Sequence, residues 1–406
     1  MTSTVEATTQ DPTVDKIEVV SGNKSAAYGA MVCGPDVIGV YPITPQTSVV
    51  EDLTQFKADG LLKAEILEAE GEISAMGSVL GASAAGGRTF SSTSSMGLFF
   101  MFDSYIMAPL YRLPIVMVNS NRELLPPNTV ACSHQDIMEV IETGWIHIHV
   151  EDSQEILDTI IMAYRLAEDP DILLPVDVCY DGFYLSYLRE PVKIPKREVV
   201  SDFLPHRDRP VLSLDDPMFT CIHHINSHEM AEMRYRHQQA LELSKQKLLE
   251  VEEEFRKVFG RSYGGLLEEY RMEGAEYALL CMGSHTGTAK VVVDQKREEG
   301  YKVGLIKLRM FRPFPEERVV EALRGIKALS IIDRSVAFGW KGGPLYREVR
   351  SALYGHSVDI PIADYIAGLG GHDITIPLIH RIVDDTAAMA RGEAYQQITW
   401  LAMEEE

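Results

Sequence analysis

A carboxylate, Glu70, heads the run LEAEGEISAMGSVLGASAAGGRTFSSTSSMGL at residues 67–98. The residues that follow are so rich in Ala, Gly and Ser that the backbone must pass close to another chain segment or a ligand, since small side chains are what permit such an approach. The run reads as a buried helix with an acid at its start. An acid shielded there loses hydration and its pKa rises, which suits it to hold or pass a proton. The alternative is a first-turn acid in water, favoured by the helix dipole. Ser91, Ser92, Thr93, Ser94 and Ser95 then place five hydroxyls in a row before Gly97, either a polar loop or a set of ligand donors. A second group of hydroxyls, Thr44, Thr47 and Ser48, stands at the start of another helix. Free backbone N–H groups there favour a carboxylate or phosphate, although Thr44 or Thr47 could equally be a cap.

The elements that must carry these groups alternate. Ser21-Gly22-Asn23 with Ala26, Ala27, Ala30 and Met31 reads as an N-capped helix closed by Gly34-Pro35. Val37–Tyr41 is a short apolar strand followed by Pro42-Ile43-Thr44-Pro45. Strands are then expected at 62–68, 88–92, 114–119, 146–150 and 175–180, and helices at 70–85, 98–110 and 154–167. Such βα alternation implies a mostly parallel sheet covered by helices on both faces, in which ligands bind at the C-terminal ends of the strands. From 195 to 273 the chain turns Pro-rich and charged, and 228–258 reads as a polar helix with Met230, Met233, Leu241, Leu248 and Phe255 as its apolar stripe. A second α/β unit follows, with strands at 277–282, 303–308 and 328–333 and glycine-rich loops at 339–344 and 368–373. The organisation expected is a flexible tail at 1–16, an α/β domain at 17–194, a linker with a long helix at 195–273, and a second α/β domain at 274–406.

Composition narrows the function classes. The chain has 406 residues, a formal net charge of −22, 46% hydrophobic residues and 24% charged residues, an ordinary globular balance. The acidity argues against nucleic acid as a partner, because a polyanion is repelled where no basic patch is concentrated. No apolar run is long enough for a membrane span and no secretory leader is evident, so the cytoplasm is the expected location. Cys33, Cys132, Cys179, Cys221 and Cys281 lack CxxC spacing, which argues against a disulfide framework and against a cluster held by this chain alone. His223, His224 and His228 lack a carboxylate or cysteine to complete a metal set, so no metal is assigned to this chain. The Gly283–Gly287 turn has no GxGxxG spacing, which gives poor support to a nicotinamide site.

Taken together, YPITP at 41–45, EAEGEISA with GASAAGGRTFSSTSSMGL within 68–98, PIVMVNSNR at 114–122 and GLGG at 368–371 resemble the alpha subunit of the thiamine-diphosphate-dependent 2-oxoacid:ferredoxin oxidoreductases, of which pyruvate:ferredoxin oxidoreductase is the best-known member. The resemblance covers residues 20–190 and 275–375. It implies a thiamine pyrimidine-binding domain followed by a domain like the C-terminal domain of transketolase. Glu70 then matches the activating glutamate that hydrogen-bonds the aminopyrimidine, with Glu68 and Glu72 as competitors because the motif alignment could slip by two. Thr44 matches the residue that bonds the 2-oxo acid group. Arg122 matches the arginine that holds the substrate carboxylate in a two-point fork; it could instead pair with Glu123 or Asp136 as a structural bridge. Pro42, Ile43 and Ser95 join Glu70 as cofactor-binding residues.

The chain lacks the GDG and Asn-Asn segment by which thiamine enzymes hold diphosphate and magnesium. The resemblance therefore implies a beta subunit that supplies diphosphate, Mg2+ and the nearest iron-sulfur cluster, and gamma- and delta-type electron-transfer subunits. The reaction implied is oxidative decarboxylation of a 2-oxoacid with coenzyme A to acyl-CoA, carbon dioxide and reduced ferredoxin or another acceptor. Met96, Phe99, Phe100, Met101 and Phe102, with the bulky stretch after Arg122, hint at an aryl oxoacid such as phenylglyoxylate instead of pyruvate; the same side chains could simply fill the core. Two other readings are open: a non-catalytic assembly subunit, and a transketolase-like transferase that uses no electrons.

Overall fold

The β-branched runs and small-residue helices close two separate parallel-type sheets in a computed structural model that describes residues 11–204 and 225–403. The expected tail up to residue 10, Cys221, His223 and His224 lie outside the described residues. In chain order the strands are β1 (Val14–Ser21), β2 (Val37–Val40), β3 (Glu65–Glu68), β4 (Thr89–Thr93), β5 (Val116–Asn121), β6 (Ile146–His149), β7 (Val176–Asp181), β8 (Arg189–Pro195), β9 (Leu267–Tyr270), β10 (Tyr277–Cys281), β11 (Val303–Leu308), β12 (Met310–Arg312), β13 (Leu329–Asp333), β14 (Ile362–Ile366) and β15 (Ile398–Trp400). One sheet has the order β12-β6-β7-β5-β4-β2-β3 and the other β15-β14-β13-β10-β11-β9. β1 and β8 form a separate antiparallel pair.

The helices used below are α1 (Gly22–Cys33), α2 (Thr47–Ala58), α3 (Glu72–Ala84), α4 (Met96–Phe100) and α5 (Phe102–Leu110). Ser21 caps α1 by accepting from Lys24 N, and Gly34 closes it in the left-handed conformation at φ 63°, as the sequence leads one to expect. α3 begins at Glu72, so Glu70 lies before the helix and not in it. The apolar run expected as one helix over 98–110 is divided into α4 and α5 at Met101. The close approach foreseen for the small-residue helix is made by α3 against β2: a Cβ on Gly39 would lie 2.4 Å from Ala75 O.

The long helix runs from Ser227 to Phe259 with a full capping box between Asn226 and Glu229. Leu248 and Phe255 are buried as the stripe requires, but Met230 and Met233 are exposed, because contact with the body starts only at His237. β1 begins at Val14, inside the stretch expected as a tail up to residue 16, and two further strands pair across the expected domain boundaries. β9, within the presumed linker, pairs antiparallel with β11 in the second sheet, and β12 pairs antiparallel with β6 in the first. β9 reads LEEY, short and polar, and β12 only MFR; neither run is long enough to carry the apolar signal of a core strand.

The second sheet carries a buried acidic pair on adjacent strands, Asp333 at the end of β13 and Asp364 in the middle of β14. Asp333 accepts from Leu345 N (3.2 Å) and Tyr346 N (2.9 Å), and Asp364 accepts from Gly343 N (2.8 Å). Burial pushes Asp333 up to about 7, and burial with the adjacent Asp333 holds Asp364 well above the usual carboxylate range. A folded pKa above the unfolded one gives stability that is complete below the unfolded pKa and is lost as pH rises through the folded pKa. Each such group then costs about 1.4 kcal/mol per pH unit. The melting temperature should accordingly fall from about pH 4 to about pH 7, the interval between the ordinary and the folded Asp333 pKa. Asp364→Asn, which removes one of the two facing charges, should flatten that decline in calorimetric melts; an unchanged slope would show that the pair does not titrate as described.

Candidate active site

The first sheet reverses its strand order between β2 and β4: β3 follows β2 on one side, whereas β4 and then β5 lie on the other. Crevices at such a reversal, outside the C-terminal ends of the strands, are where open α/β sheets bind ligands. The loop after β2 carries Pro42, Ile43 and Thr44; the end of β4 carries Ser94 and Ser95; the end of β5 carries Arg122. All the expected site segments therefore meet at one edge of one sheet.

The shielded acid of this edge is Glu72. Glu70 is exposed, its carboxylate accepts from Ser74 Oγ at 2.9 Å, and its own backbone N–H and Ser74 hold its pKa below the ordinary value. Placement of the desolvated carboxylate at Glu70 is thus corrected by two residues. Gly71 is extended and buried under Phe100: a Cβ there would lie 2.7 Å from the ring. The next residue turns inward. Glu72 is only 5% exposed, and burial raises its pKa above the usual value. Its carboxylate lies against Gly97, where an added Cβ would come within 2.6 Å of both Glu72 Oε1 and Thr93 Oγ1. Gly97 is therefore a position that only glycine can fill without displacing the acid. Thr93 Oγ1 is buried and has no hydrogen-bond partner among the described residues, a state that ordinarily calls for a ligand or an explanation.

The hydroxyl run is fully buried, not a solvated loop. Ser91 Oγ donates to Gly39 O (2.9 Å) and Ser94 Oγ to Ser120 O (2.7 Å), which ties β4 to its neighbours on both sides. Ser95 sits at φ 47°, ψ −124°, immediately before α4. A positive φ in a non-glycine residue is strained and persists only where its surroundings hold it. Ser95 Oγ donates to Glu123 O (2.7 Å), and Ser95 N donates to Asp136 Oδ2 (2.9 Å).

Thr44 is exposed and Pro42 likewise, while Ile43 is half-buried. The loop is fastened from behind. Asn23, at the start of α1, donates to Pro45 O (2.7 Å) and Ser48 Oγ (2.8 Å), and Gln46 Nε2 donates to Ser92 O (3.2 Å). Neither Thr44 nor Thr47 caps α2: Gln46 is the N-cap and makes no side-chain cap bond. Arg122 is buried, and its guanidinium donates through Nε to Thr129 O (2.9 Å) and through Nη1 to Thr44 O (3.0 Å). Arg122 and Thr44 are therefore adjacent. The bridge to Glu123 or Asp136 does not form: Asp136 receives only the Arg122 backbone N–H, at 3.1 Å. Nη2 makes no hydrogen bond among the described residues, so an end-on fork through Nη1 and Nη2 remains open toward a carboxylate. Burial lowers the Arg122 pKa, but a guanidinium stays charged at neutral pH.

The second sheet reaches this edge through its own loops. Gly371 N donates to Cys132 O (2.9 Å), and Tyr184 Oη donates to Gly371 O (2.8 Å), so the GLGG loop closes over the segment that follows Arg122. Asp181, at the end of β7, accepts from Arg334 Nη1 (2.6 Å) and Ser284 N (3.0 Å) and bonds His134 Nε2 (2.7 Å). Burial alone would raise the Asp181 pKa; Arg334 and His134 instead hold it well below the carboxylate range. Gln135 bonds both the N–H and the C=O of Val336, at 2.9 and 3.0 Å.

Sequence reasoning did not single out Asn23, Gln46, Asn119 or Asn121, and it weighed Asp136 only as a partner for Arg122. Their signal was weak: each is one polar residue in or beside an apolar run. The apolar set proposed to line a pocket is divided. Met101 is core, whereas Met96, Phe100 and Phe102 are 41%, 58% and 38% exposed; Leu67 and Ile73 are exposed as well. The described cysteines, Cys33, Cys132, Cys179 and Cys281, are buried and free, as expected of structural thiols.

Comparisons with known proteins bear on this arrangement. A family model described as pyruvate flavodoxin/ferredoxin oxidoreductase, thiamine diP-binding, matches residues 28–255, and one described as pyruvate:ferredoxin oxidoreductase core domain II matches residues 275–379. The chain is 41% identical over 399 residues to the NADH-dependent phenylglyoxylate dehydrogenase subunit alpha of Aromatoleum evansii, covering 96% of each chain. It is 38% identical over 394 residues to pyruvate synthase subunit PorA of Methanosarcina barkeri, covering 96% of this chain and 98% of the relative. A solved structure of 2-oxoglutarate:ferredoxin oxidoreductase from Magnetococcus marinus, with 2-oxoglutarate, coenzyme A and succinyl-CoA bound, matches with a TM-score of 0.68 at 21% identity; it covers 91% of this chain and 65% of that longer one. That likeness is one of fold.

Proposed function

Because the chain belongs to the alpha-subunit family of the 2-oxoacid:ferredoxin oxidoreductases, we propose that the edge formed by Glu72, Thr44, Ser95 and Arg122 is one half of the active site of a 2-oxoacid oxidoreductase that transfers the acyl group to coenzyme A. The observation that carries the reading is the buried carboxylate of Glu72, its pKa raised by burial, across the Gly97 position from the orphaned hydroxyl of Thr93. These groups fit the ring of a thiamine aminopyrimidine: an acid with a raised pKa, a spare hydroxyl, and space kept free by Gly97. When bound, thiamine diphosphate supplies the nucleophilic carbon and the electron sink that decarboxylation of a 2-oxoacid needs.

The chain's own residues then have distinct tasks. Glu72 holds a proton at its carboxylate oxygens and shares it with a ring nitrogen, a task suited to a pKa raised by burial. The role assigned from the motif to Glu70 passes to Glu72. Arg122 receives the substrate carboxylate in a fork, and the Thr44 hydroxyl bonds the oxo group beside it. Pro42 and Ile43 shape the adjoining wall, and Ser95 fixes where α4 begins.

In this reading the thiamine pyrimidine-binding domain spans 17–194 with β12 added, and the transketolase C-terminal-like domain spans 274–406 with β9 added. The exposed apolar residues Met96, Phe100, Leu67 and Ile73 receive a beta subunit that brings diphosphate, Mg2+ and an iron-sulfur cluster, and gamma- and delta-type subunits carry electrons onward to ferredoxin or another acceptor. The complex works in the cytoplasm; among the described residues no helix is long and apolar enough to cross a membrane. The substrate is pyruvate or an aryl 2-oxoacid.

The test is anaerobic purification of the native complex and an assay of acceptor reduction across a panel of 2-oxoacids with coenzyme A. Reduction that requires both is expected; an intact complex that reduces no acceptor with any oxoacid would overturn the reading. Within that assay Arg122→Lys, which replaces a planar fork by a point charge, should lower kcat/KM for the oxoacid by about 10- to 100-fold, mostly through KM.

A further inference from the structure

One buried side chain gathers the separate strand ends of this edge. The carboxylate of Asp136, which has no solvent exposure, accepts five hydrogen bonds. Oδ2 takes Ser95 N (2.9 Å), Asn119 Nδ2 (3.2 Å) and Arg122 N (3.1 Å), and Oδ1 takes Asn121 Nδ2 (3.1 Å) and Ile137 N (2.8 Å). Four of the donors come from the end of β4, from β5 and from the residue just after β5, and the fifth is the N–H of the next residue in its own chain segment. An ionised carboxylate is an acceptor only and can meet five donors; a carboxamide at the same place would turn N–H toward N–H. Asp136 therefore supplies what the strained Ser95 backbone and the Arg122 backbone both need, an acceptor that fixes their N–H directions together. The amide nitrogens of Asn119 and Asn121 are drawn to it, and their oxygens are left buried without partners among the described residues. A conformation that leaves two such oxygens unmatched is one the surrounding structure has to impose.

The residues just before Asp136 face the other domain. His134 N donates to Arg334 O (2.9 Å), His134 Nε2 bonds Asp181, and the Gln135 amide bonds both backbone groups of Val336. Three consecutive residues thus hold the second sheet's loops with two members, His134 through its backbone N–H and Gln135 through its side chain, and the site loops with the third.

We propose that Asp136 is a positioning residue for the oxoacid: it sets the direction of the Arg122 and Ser95 segments, so that substrate affinity depends on a carboxylate that never touches substrate. The inference rests on the oxoacid reading above. In the intact complex, Asp136→Asn should raise the oxoacid KM by about tenfold or more while the coenzyme A KM changes less than about twofold. Backbone hydrogen exchange across 119–131, measured on the same complex by mass spectrometry, should become faster. A merely structural residue would lower the active fraction and leave KM where it was, and that result would overturn the proposal. If Asp136→Asn prevents assembly, Asn121→Ser, which withdraws one donor and keeps the carboxylate, decides: a rise of a few-fold in oxoacid KM supports the proposal, and an unchanged KM refutes it. A wild-type complex that oxidises no 2-oxoacid would refute the underlying reading, and that result is seen before any substitution is made.

Discussion

Glu72→Gln is expected to lower oxoacid-dependent acceptor reduction by about 10²- to 10⁴-fold, the range over which a positioned acid–base group contributes, with the complex still assembled. The substitution keeps the shape of the side chain against Gly97 and removes only its ability to carry a negative charge and exchange a proton. Glu70→Gln is the matched control. Its carboxylate is exposed and bonded to Ser74, so its loss should change turnover less than about twofold, a typical margin for a surface group. The two variants separate three readings by one measurement, the rate of acceptor reduction by purified, size-checked complex. Loss at Glu72 alone supports the site described here. Loss at Glu70 alone returns the role to the first acid. Full turnover in both makes the chain a scaffold that has kept the fold and lost the chemistry.

Arg334→Met is the substitution expected to cost most in stability. Asp181 is fully buried and depends on Arg334 and His134 for its charge. Removal of one partner of a buried ion pair strands the other charge, which typically costs about 3–5 kcal/mol. The loss should be read as a lowered denaturation midpoint of the complex. Because the stranded carboxylate causes most of it, the double variant Asp181→Asn, Arg334→Met should be less destabilised than the two single losses added together. Simple additivity would show that the two residues act independently.

The parts of this protein that were legible in its sequence are those where periodicity and position speak for themselves. The first-domain alternation from Val37 to Asp181 was readable from short, largely apolar strands such as VIGV and VMVNSN set between longer helical stretches. The loops after β2, β4 and β5 could be assigned to the functional edge from their place in that alternation alone. Which acid of EAEGE turns inward could not be read. Glu70 and Glu72 flank the same glycine, and what separates them are contacts distant in sequence: the Phe100 ring over Gly71 and the space that Gly97 leaves for the Glu72 carboxylate. Asp136 was invisible as an organiser for a similar reason, since its five donors lie between one and forty-one residues away. β9 and β12 escaped notice because sheet edges need no apolar pattern. Nor did the stripe of the long helix show where contact with the body begins.

β12 leaves the second half of the chain to finish the margin of the first sheet, while Arg309, just before it, is fully buried between Glu155 and Glu252 at 2.6 and 2.7 Å. The two lobes are therefore interleaved and not strung in series. A polypeptide cut at the apparent boundary near residue 273 would leave β6 as an open sheet margin and Glu155 without its two cations, Lys307 and Arg309. Its two fragments should recover a native fold only when they are made together.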